Sequence, residues 1–342
     1  MREPAFWHGP ASWRSHLLRP LGALYGHVAA RRMQHKGFDA GIPIFCVGNY
    51  HLGGAGKTPT VLAVAKVLRE LGEKPVVLSR GYGGRLRGPV RVDALKHSAT
   101  DVGDEPKMMA ASVPVVVARD RIDGVALAKS QAASVILMDD GFQNPAIAKD
   151  ASLIVIDSER GIGNGLVFPA GPLRAPLRPQ LALTDALIVV GKGAASEAIA
   201  AEAQARGAHV FPALLSPDAV SVTRLEGKRI LAFAGIGDPA RFFRTLRASG
   251  LDVVRERSFA DHHRFSQGEI DDLVLDARRD GLTLVTTEKD FARLCDGAEL
   301  PAFARDIVPF AVSMEFGDVG KLRKFLSERL VKAREKRFEA RP

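Results

Sequence analysis

From Gly41 onward the chain alternates short, unbroken apolar runs with stretches of helical periodicity, and that alternation restricts the fold more than any single motif does. IPIFCV (42–47), KPVVLS (74–79), VPVVVA (113–118), SVILM (134–138), SLIVID (152–157) and ALIVV (186–190) have the length of strands, without the apolar–polar alternation of a strand with one wet face. Strands apolar on both faces lie in a sheet covered by helices on both sides, and the helical crossovers make them parallel. Helices are expected near 58–71 and 123–131. After the polar stretch SPDAVSVTRLEGK (215–227) a second series follows: RILAFA (229–234), a helix near 239–249, DVVRERSF (252–259), a helix near 267–280, LTLVTT (282–287) and IVPFAV (307–312). The expected layout is a larger α/β domain over 37–220 and a smaller α/β domain over 221–342, preceded by a distinct segment over 1–36. Between Arg160 and Arg178 the connection GIGNGLVFPAGPLRAPLR is too long and too rich in Gly and Pro for a simple link, and reads as a functional loop.

The first strand runs into NYHLGGAGKTPT (49–60). A glycine-rich turn that opens onto a helix N-terminus binds phosphate through its backbone N–H groups and the helix dipole. The usual spacing is Gly, any four residues, Gly-Lys-Ser/Thr. Here His51 holds the opening position, followed by Leu52, Gly53, Gly54, Ala55, Gly56, Lys57 and Thr58. The stretch is either a variant nucleotide site or a chance glycine turn. The strand before it, the helix-compatible TPTVLAVAKVL after it and Pro59 in the first helical turn favour the nucleotide site. So does SVILMDD, an apolar strand ending in Asp139-Asp140 downstream. In a P-loop enzyme Lys57 contacts the β- and γ-phosphates, while Thr58 and one of Asp139 and Asp140 hold Mg2+. The expected fold is thus a P-loop NTPase-like parallel sheet sandwiched by helices. No Asn-Lys-x-Asp guanine signature is present, which favours ATP over GTP.

The net charge of +9 suggests an anionic partner. Its location matters more than its total. Residues 1–36 carry six Arg and Lys against Glu3 alone, and residues 321–342 carry nine against three acids, which leaves the rest slightly acidic. A nucleic-acid-binding protein spreads its basic residues over a folded face, so no nucleic-acid partner is expected. Cys46 and Cys295, far apart and outside any Cys/His cluster, support neither a disulfide framework nor a zinc site.

Both tryptophans, Trp7 and Trp13, lie near the N-terminus, followed by Leu17, Leu18, Leu21, Leu24, Tyr25 and Val28 at helical spacing. The run is interrupted by Arg19 and His27 and falls short of the roughly 20 apolar residues of a membrane span. With Arg14, Arg19, Arg31, Arg32 and Lys36 around it, this amphipathic helix suits an anionic lipid surface. Packing on the protein's own core fits the pattern equally well.

GNYHLGGAGKTP (48–59), SRGYGG (79–84), VGDEP (102–106), DDGFQ (139–143), GNGLVFPAGPLRAP (163–176), AGIGDPARFF (234–243), FADHHRF (259–265) and TTEKD (286–290) follow one another as in the tetraacyldisaccharide 4'-kinases, the lipid A 4'-kinases of Gram-negative bacteria. The chain resembles that family over nearly its whole length. In the family the loop lacks its first glycine, so His51 is compatible with the pattern. The resemblance implies transfer of the γ-phosphoryl group of ATP to the 4'-hydroxyl of a tetraacylated glucosamine disaccharide 1-phosphate, forming lipid IVA. It implies Asp104 as the base, paired with a histidine of FADHH: His262 first, His263 as the alternative. An acceptor with four acyl chains tips the N-terminal helix toward peripheral docking on the anionic cytoplasmic face of the inner membrane.

For Asp104 the competing reading is a helix N-cap, since Gly-Asp-Glu-Pro precedes KMMAA; for the histidines it is a solvated turn. Arg80, Arg119, Arg121 and Arg174 are candidates to hold phosphate, the first three because they follow strands where ligands of open α/β sheets gather. Gln143 is a candidate to meet a sugar hydroxyl or to cap a turn. Two rivals remain open at this stage: a P-loop kinase or ligase acting on a soluble small molecule, and a partition-type ATPase switch.

Overall fold

The computed structural model describes residues 4–54, 56–295 and 305–339. The strands are β1 (Ile44–Gly48), β2 (Pro75–Ser79), β3 (Val90–Arg91), β4 (Val115–Val117), β5 (Val135–Asp139), β6 (Ala151–Asp157), β7 (Ala186–Val190), β8 (His209–Pro217), β9 (Arg229–Ala234), β10 (Asp252–Ser258), β11 (Thr283–Thr287), β12 (Ile307–Phe310) and β13 (Val312–Phe316). Nine form one sheet in the order β13-β8-β7-β6-β1-β5-β2-β4-β3, and four form a second in the order β10-β9-β11-β12. The smaller sheet is parallel throughout, and the larger is parallel except where β3 and β13 pair at its edges. Every apolar run read as a strand contains one, but IVPFAV (307–312) is divided between β12 and the first residue of β13.

β1 sits between β5 and β6, where the strand order turns back, and the crevice at the carboxyl ends there is where open α/β sheets take ligands. Every residue of β1 is buried. Alternate side chains feed opposite layers: Phe45 and Val47 pack with Val61, Val64 and Leu68 of the helix Lys57–Glu70, while Ile44 and Cys46 pack with Tyr50 and Phe142. The helix Val319–Glu339 contributes Leu322, Phe325, Leu326 and Leu330 to the first layer.

β8, ending at Pro217, belongs to the large sheet and β9, starting at Arg229, to the small one, but the second sheet does not take up the rest of the chain. β13 pairs antiparallel with β8 and adds an edge to the large sheet, and the helix Val319–Glu339 packs beneath that sheet. The basic tail is correspondingly engaged in ion pairs. Arg329 meets Asp185 at 2.9 Å, Arg334 meets Glu73 at 2.7 Å, Arg337 meets Asp150 at 2.9 Å and Arg323 pairs with Glu70.

The helix Trp13–Met33 contains Pro20 and is capped by Ser12. It reverses the usual arrangement of an amphipathic helix. Its inward face is a seam of Ser15, Gly22, Gly26 and Met33, while Trp13, Leu17, Leu21, Leu24, Tyr25 and Val28 are exposed. The seam exists because the neighbour is backbone: a Cβ on Gly22 would stand 2.7 Å from Val167 O. Trp7, which precedes this helix, is buried. Its Nε1 donates to Pro169 O at 3.1 Å and its ring meets Phe168 edge-on. Among the described residues no helix is long and apolar enough to cross a membrane.

Candidate active site

The residues after β1 form a cradle stitched to the 163–176 loop. Leu52 N donates to Pro172 O at 2.8 Å and Arg174 N donates to Tyr50 O at 2.8 Å. Inside the cradle Asn49 Nδ2 donates to Gly53 O at 2.9 Å. Gly56 has φ +90°, a conformation open to glycine at little cost, and from it the chain turns into the helix that starts at Lys57. Ala55 lies outside the described residues. His51 is buried, and its Nδ1 donates to Leu52 O at 2.8 Å. Burial pushes its pKa down to about 4, so the ring is neutral and brings no charge to a phosphate.

Lys57 Nζ lies 4.0 Å from Asp140 Oδ1. The same oxygen accepts from Arg174 Nη1 at 2.6 Å. Burial alone would raise the Asp140 pKa, but Lys57 and Arg174 outweigh it and bring the carboxyl to about 2. Asp139 behaves in the opposite way: burial, with the charges of Glu105 and Asp140 nearby, pushes it up to about 7. Its Oδ2 accepts from Ser79 Oγ at 3.1 Å, while Asp139 Oδ1 and Thr58 Oγ1 are buried without partners among the described residues. Orphaned buried oxygens are uncommon and call for a partner. Two of them, on a hydroxyl and a carboxylate, fit a hard divalent cation that takes its remaining ligands from water and phosphate.

Asp104 is the first residue of the helix Asp104–Ala110, but its side chain makes no cap bond; the N-cap is Gly103. Gly103 has φ +94° and is pressed against Tyr82 O, where a Cβ would stand at 2.5 Å. Asp104 turns instead to the smaller unit. Its Oδ2 lies 3.0 Å from Nδ1 of His262. His263 points elsewhere: its Nε2 faces the Glu269 carboxylate at 3.0 Å and its ring stacks on Phe259. The hydrogen bond to Asp104 raises the His262 pKa. For Asp104 burial acts upward and is outweighed by His262 and Arg293, so its pKa is lowered. Three non-glycine residues among those described have positive φ, namely Ala132, Asp140 and His262, and two of these are candidate site residues. Strained backbone of this kind concentrates at functional sites.

The remaining candidates divide. Arg80 is exposed just past β2. Arg119 donates to Gly84 O at 3.3 Å, beside the SRGYGG turn. Arg121 is buried and donates to Leu78 O at 3.2 Å and Asp139 O at 3.3 Å, joining the ends of β2 and β5. Gln143 Nε2 donates to Asn49 O at 2.8 Å and Gln180 Oε1 at 2.9 Å, bracing the cradle.

Sequence reading missed a second set of charges across the cleft. Lys289 pairs with Glu105, and Glu105 also feels Lys57 and Asp140. Arg293 bonds Asp104. On the other side of the cradle Arg160 meets Asp238 at 2.7 Å and Arg241 pairs with Asp157. The signal was present in part: Glu105 and Lys289 stand inside quoted motifs, VGDEP and TTEKD, but nothing in either string says that they meet.

A family model described as tetraacyldisaccharide-1-P 4'-kinase matches residues 14–331. The chain belongs to this family. A tetraacyldisaccharide 4'-kinase from Bradyrhizobium diazoefficiens is 68% identical over 341 residues, covering 100% of both chains. One from Nitrobacter hamburgensis is 64% identical, covering 98% of this chain and 100% of its own. Among solved structures, LpxK from Aquifex aeolicus in complex with ATP superposes with a TM-score of 0.70 at 26% identity, over 93% of this chain and 100% of that one. As a member of the tetraacyldisaccharide-1-P 4'-kinase family the protein is a kinase of lipid A biosynthesis. The two rivals, a soluble-substrate ligase and a partition-type switch, give no account of a match that runs through both units.

Proposed function

We propose that this kinase transfers the γ-phosphoryl group of ATP to the 4'-hydroxyl of tetraacyldisaccharide 1-phosphate, with the chemistry divided between its two units. The observation that carries the division of labour is the meeting of Asp104 and His262, from different units, at 3.0 Å beside the P-loop. The hydroxyl oxygen forms a bond to the γ-phosphorus as the bond from phosphorus to the β–γ bridging oxygen breaks. The hydroxyl proton passes to the Asp104 carboxylate, with His262 orienting it or sharing that proton, and ADP leaves. Lys57 and the N-terminus of the helix Lys57–Glu70 stabilise charge on the β- and γ-phosphates, and Arg174, next to Asp140, is placed to hold phosphate as well. Thr58 and Asp139, with Asp140 close by, would hold Mg2+, which would supply neutralisation of phosphate charge. Arg80 and Arg119 are further candidates to hold phosphate of ATP or of the acceptor.

The acceptor is a lipid, and the outward apolar face of the helix Trp13–Met33 supports peripheral docking on the cytoplasmic face of the inner membrane. Trp13 and Leu17 are each 70% exposed, and Arg14, Arg19, Arg31 and Arg32 lie on the same helix to meet anionic headgroups. One assay tests the transfer: purified protein, γ-labelled ATP, Mg2+ and tetraacyldisaccharide 1-phosphate in detergent. Label in the lipid fraction is the expected result. Label found only in inorganic phosphate would overturn it.

A further inference from the structure

Arg293 lies on the helix Glu288–Leu294 of the smaller unit, with only 7% of its side chain exposed. Its guanidinium is held from several directions. Nη1 donates to Asp290 Oδ1 at 2.8 Å, Gly235 O at 3.0 Å and His263 O at 3.3 Å. Asp290, itself fully buried, is fixed in turn by Gly235 N at 3.1 Å and Thr287 Oγ1 at 2.7 Å. From this rigid seat Nε reaches across to the larger unit and donates to Asp104 Oδ2 at 2.6 Å.

We propose that Arg293 is a positioning residue for phosphoryl transfer, which clamps Asp104 through Oδ2 and leaves Oδ1 to meet the acceptor hydroxyl. The proposal rests on the reading of Asp104 as the base. Both side-chain bonds to the carboxylate, from Arg293 and His262, fall on the same oxygen. An exposed imidazole alone is a loose anchor, since His262 is 46% exposed. A guanidinium bonded to two backbone carbonyls and a buried carboxylate is a stiff one, and reacting groups need placement to a fraction of an ångström. The clamp also keeps the carboxylate ionised: the charged groups around Asp104 are Arg293 and His262 in contact with it, Asp261 at 3.9 Å from His262, Asp290 behind Arg293, and the neighbouring Glu105–Lys289 pair. The cost is a weaker base, which suits a transfer with a loose transition state in which positioning matters most.

The test uses the full chain and the labelled-lipid assay, comparing Asp290→Asn with Asp290→Asn/Arg293→Gln, so that no buried carboxylate is left alone. The double variant is expected to lose on the order of 10²-fold in kcat, with the KM for ATP changed by less than about threefold. The acid limb of its kcat profile should move to higher pH, because Asp104 loses a cation. Arg293→Lys alone, which keeps the charge but not the fork of donors, should fall between parent and double variant. A folded double variant with kcat within about threefold of Asp290→Asn and an unmoved acid limb would overturn the proposal. If the double variant does not fold, Arg293→Lys decides: parent-like kcat and acid limb overturn the clamp, and a fall in kcat at unchanged KM for ATP supports it. Asp104→Asn separates the two layers. Retained turnover there removes the base reading itself, whereas its loss beside parent-like Arg293 variants removes only the clamp.

Discussion

His262 and Asp104 hold each other in charged form, and this gives the pair a pH window. The His262 pKa is raised, chiefly by its hydrogen bond to Asp104. Its contribution to stability is therefore complete below the ordinary imidazole value and is lost as pH rises through the raised value. For Asp104 burial acts upward but is outweighed by His262 and Arg293, so the pKa falls and its contribution is lost only as pH drops through that lowered value. The melting-temperature difference between parent and His262→Gln should be largest at about pH 5 to 6 and shrink toward about pH 9; a difference independent of pH would mean that the pair is not ionic. At the loop, His51→Thr should leave kcat within about threefold, since the ring is neutral and the cradle is backbone, while Lys57→Ala should cost on the order of 10³-fold or more in a folded protein. Steady-state kinetics on both, with melting curves as the folding check, settle the contrast. The candidates that the residues themselves suggested come from local motifs, such as Lys57-Thr58 after the glycines and Asp139-Asp140 ending a strand, whereas the Asp104–His262 pairing came from the family resemblance. Arg293 and Lys289 escaped because their partners, Asp104 and Glu105, stand more than 180 residues away in the chain, and an Arg or Lys on a short helix has solvation as its default.

At the scale of elements, the N-terminal helix shows most clearly what periodicity can and cannot say. Leu17, Leu21, Leu24 and Val28 announce an apolar face, but their spacing does not say whether that face is turned to the protein or to a lipid. The deciding residues are Gly22 and Gly26, whose missing side chains let the helix close on Val167 and Pro176. Two variants pull the faces apart. Gly22→Val should lower stability by about 1 to 3 kcal/mol through overpacking against Val167 O, read as a lower melting temperature. Leu17→Ser/Leu21→Ser/Leu24→Ser should leave the melting temperature nearly unchanged, as surface changes do, and reduce flotation with liposomes containing anionic lipid. Deleting the whole segment is the poorer test, because Trp7 and Ser15 also support Asn164 in the functional loop. Most of the parallel strands, such as β1, β5 and β7, were legible because they are buried apolar runs. β3, β8 and β13 were not: β3 spans two residues, and β8 and β13 mix exposed and buried positions near the sheet's edge.

For the whole molecule, five ion pairs among the described residues bridge the two units: Arg293–Asp104, His262–Asp104, Lys289–Glu105, Arg160–Asp238 and Arg241–Asp157. Opening the cleft breaks them, so the closed arrangement should be favoured when nucleotide and acceptor fill it. Small-angle scattering is expected to give a smaller radius of gyration with a nonhydrolysable ATP analogue plus acceptor than without; equal profiles would count against closure. The return of β13 to the large sheet has a separate consequence. Val312 is the register partner of Pro217, so the chain leaves and re-enters the nucleotide-binding sheet at adjacent points on neighbouring strands. The smaller sheet is in effect a cassette inserted into a hairpin. Replacing residues 218–311 with a two-residue β-turn would rejoin β8 and β13 directly, keep the P-loop and the C-terminal helix, and remove His262, Lys289 and Arg293 in one step. What is left would be a nucleotide-binding protein with no means of placing Asp104, and the reaction would exist only for chains that carry the insert.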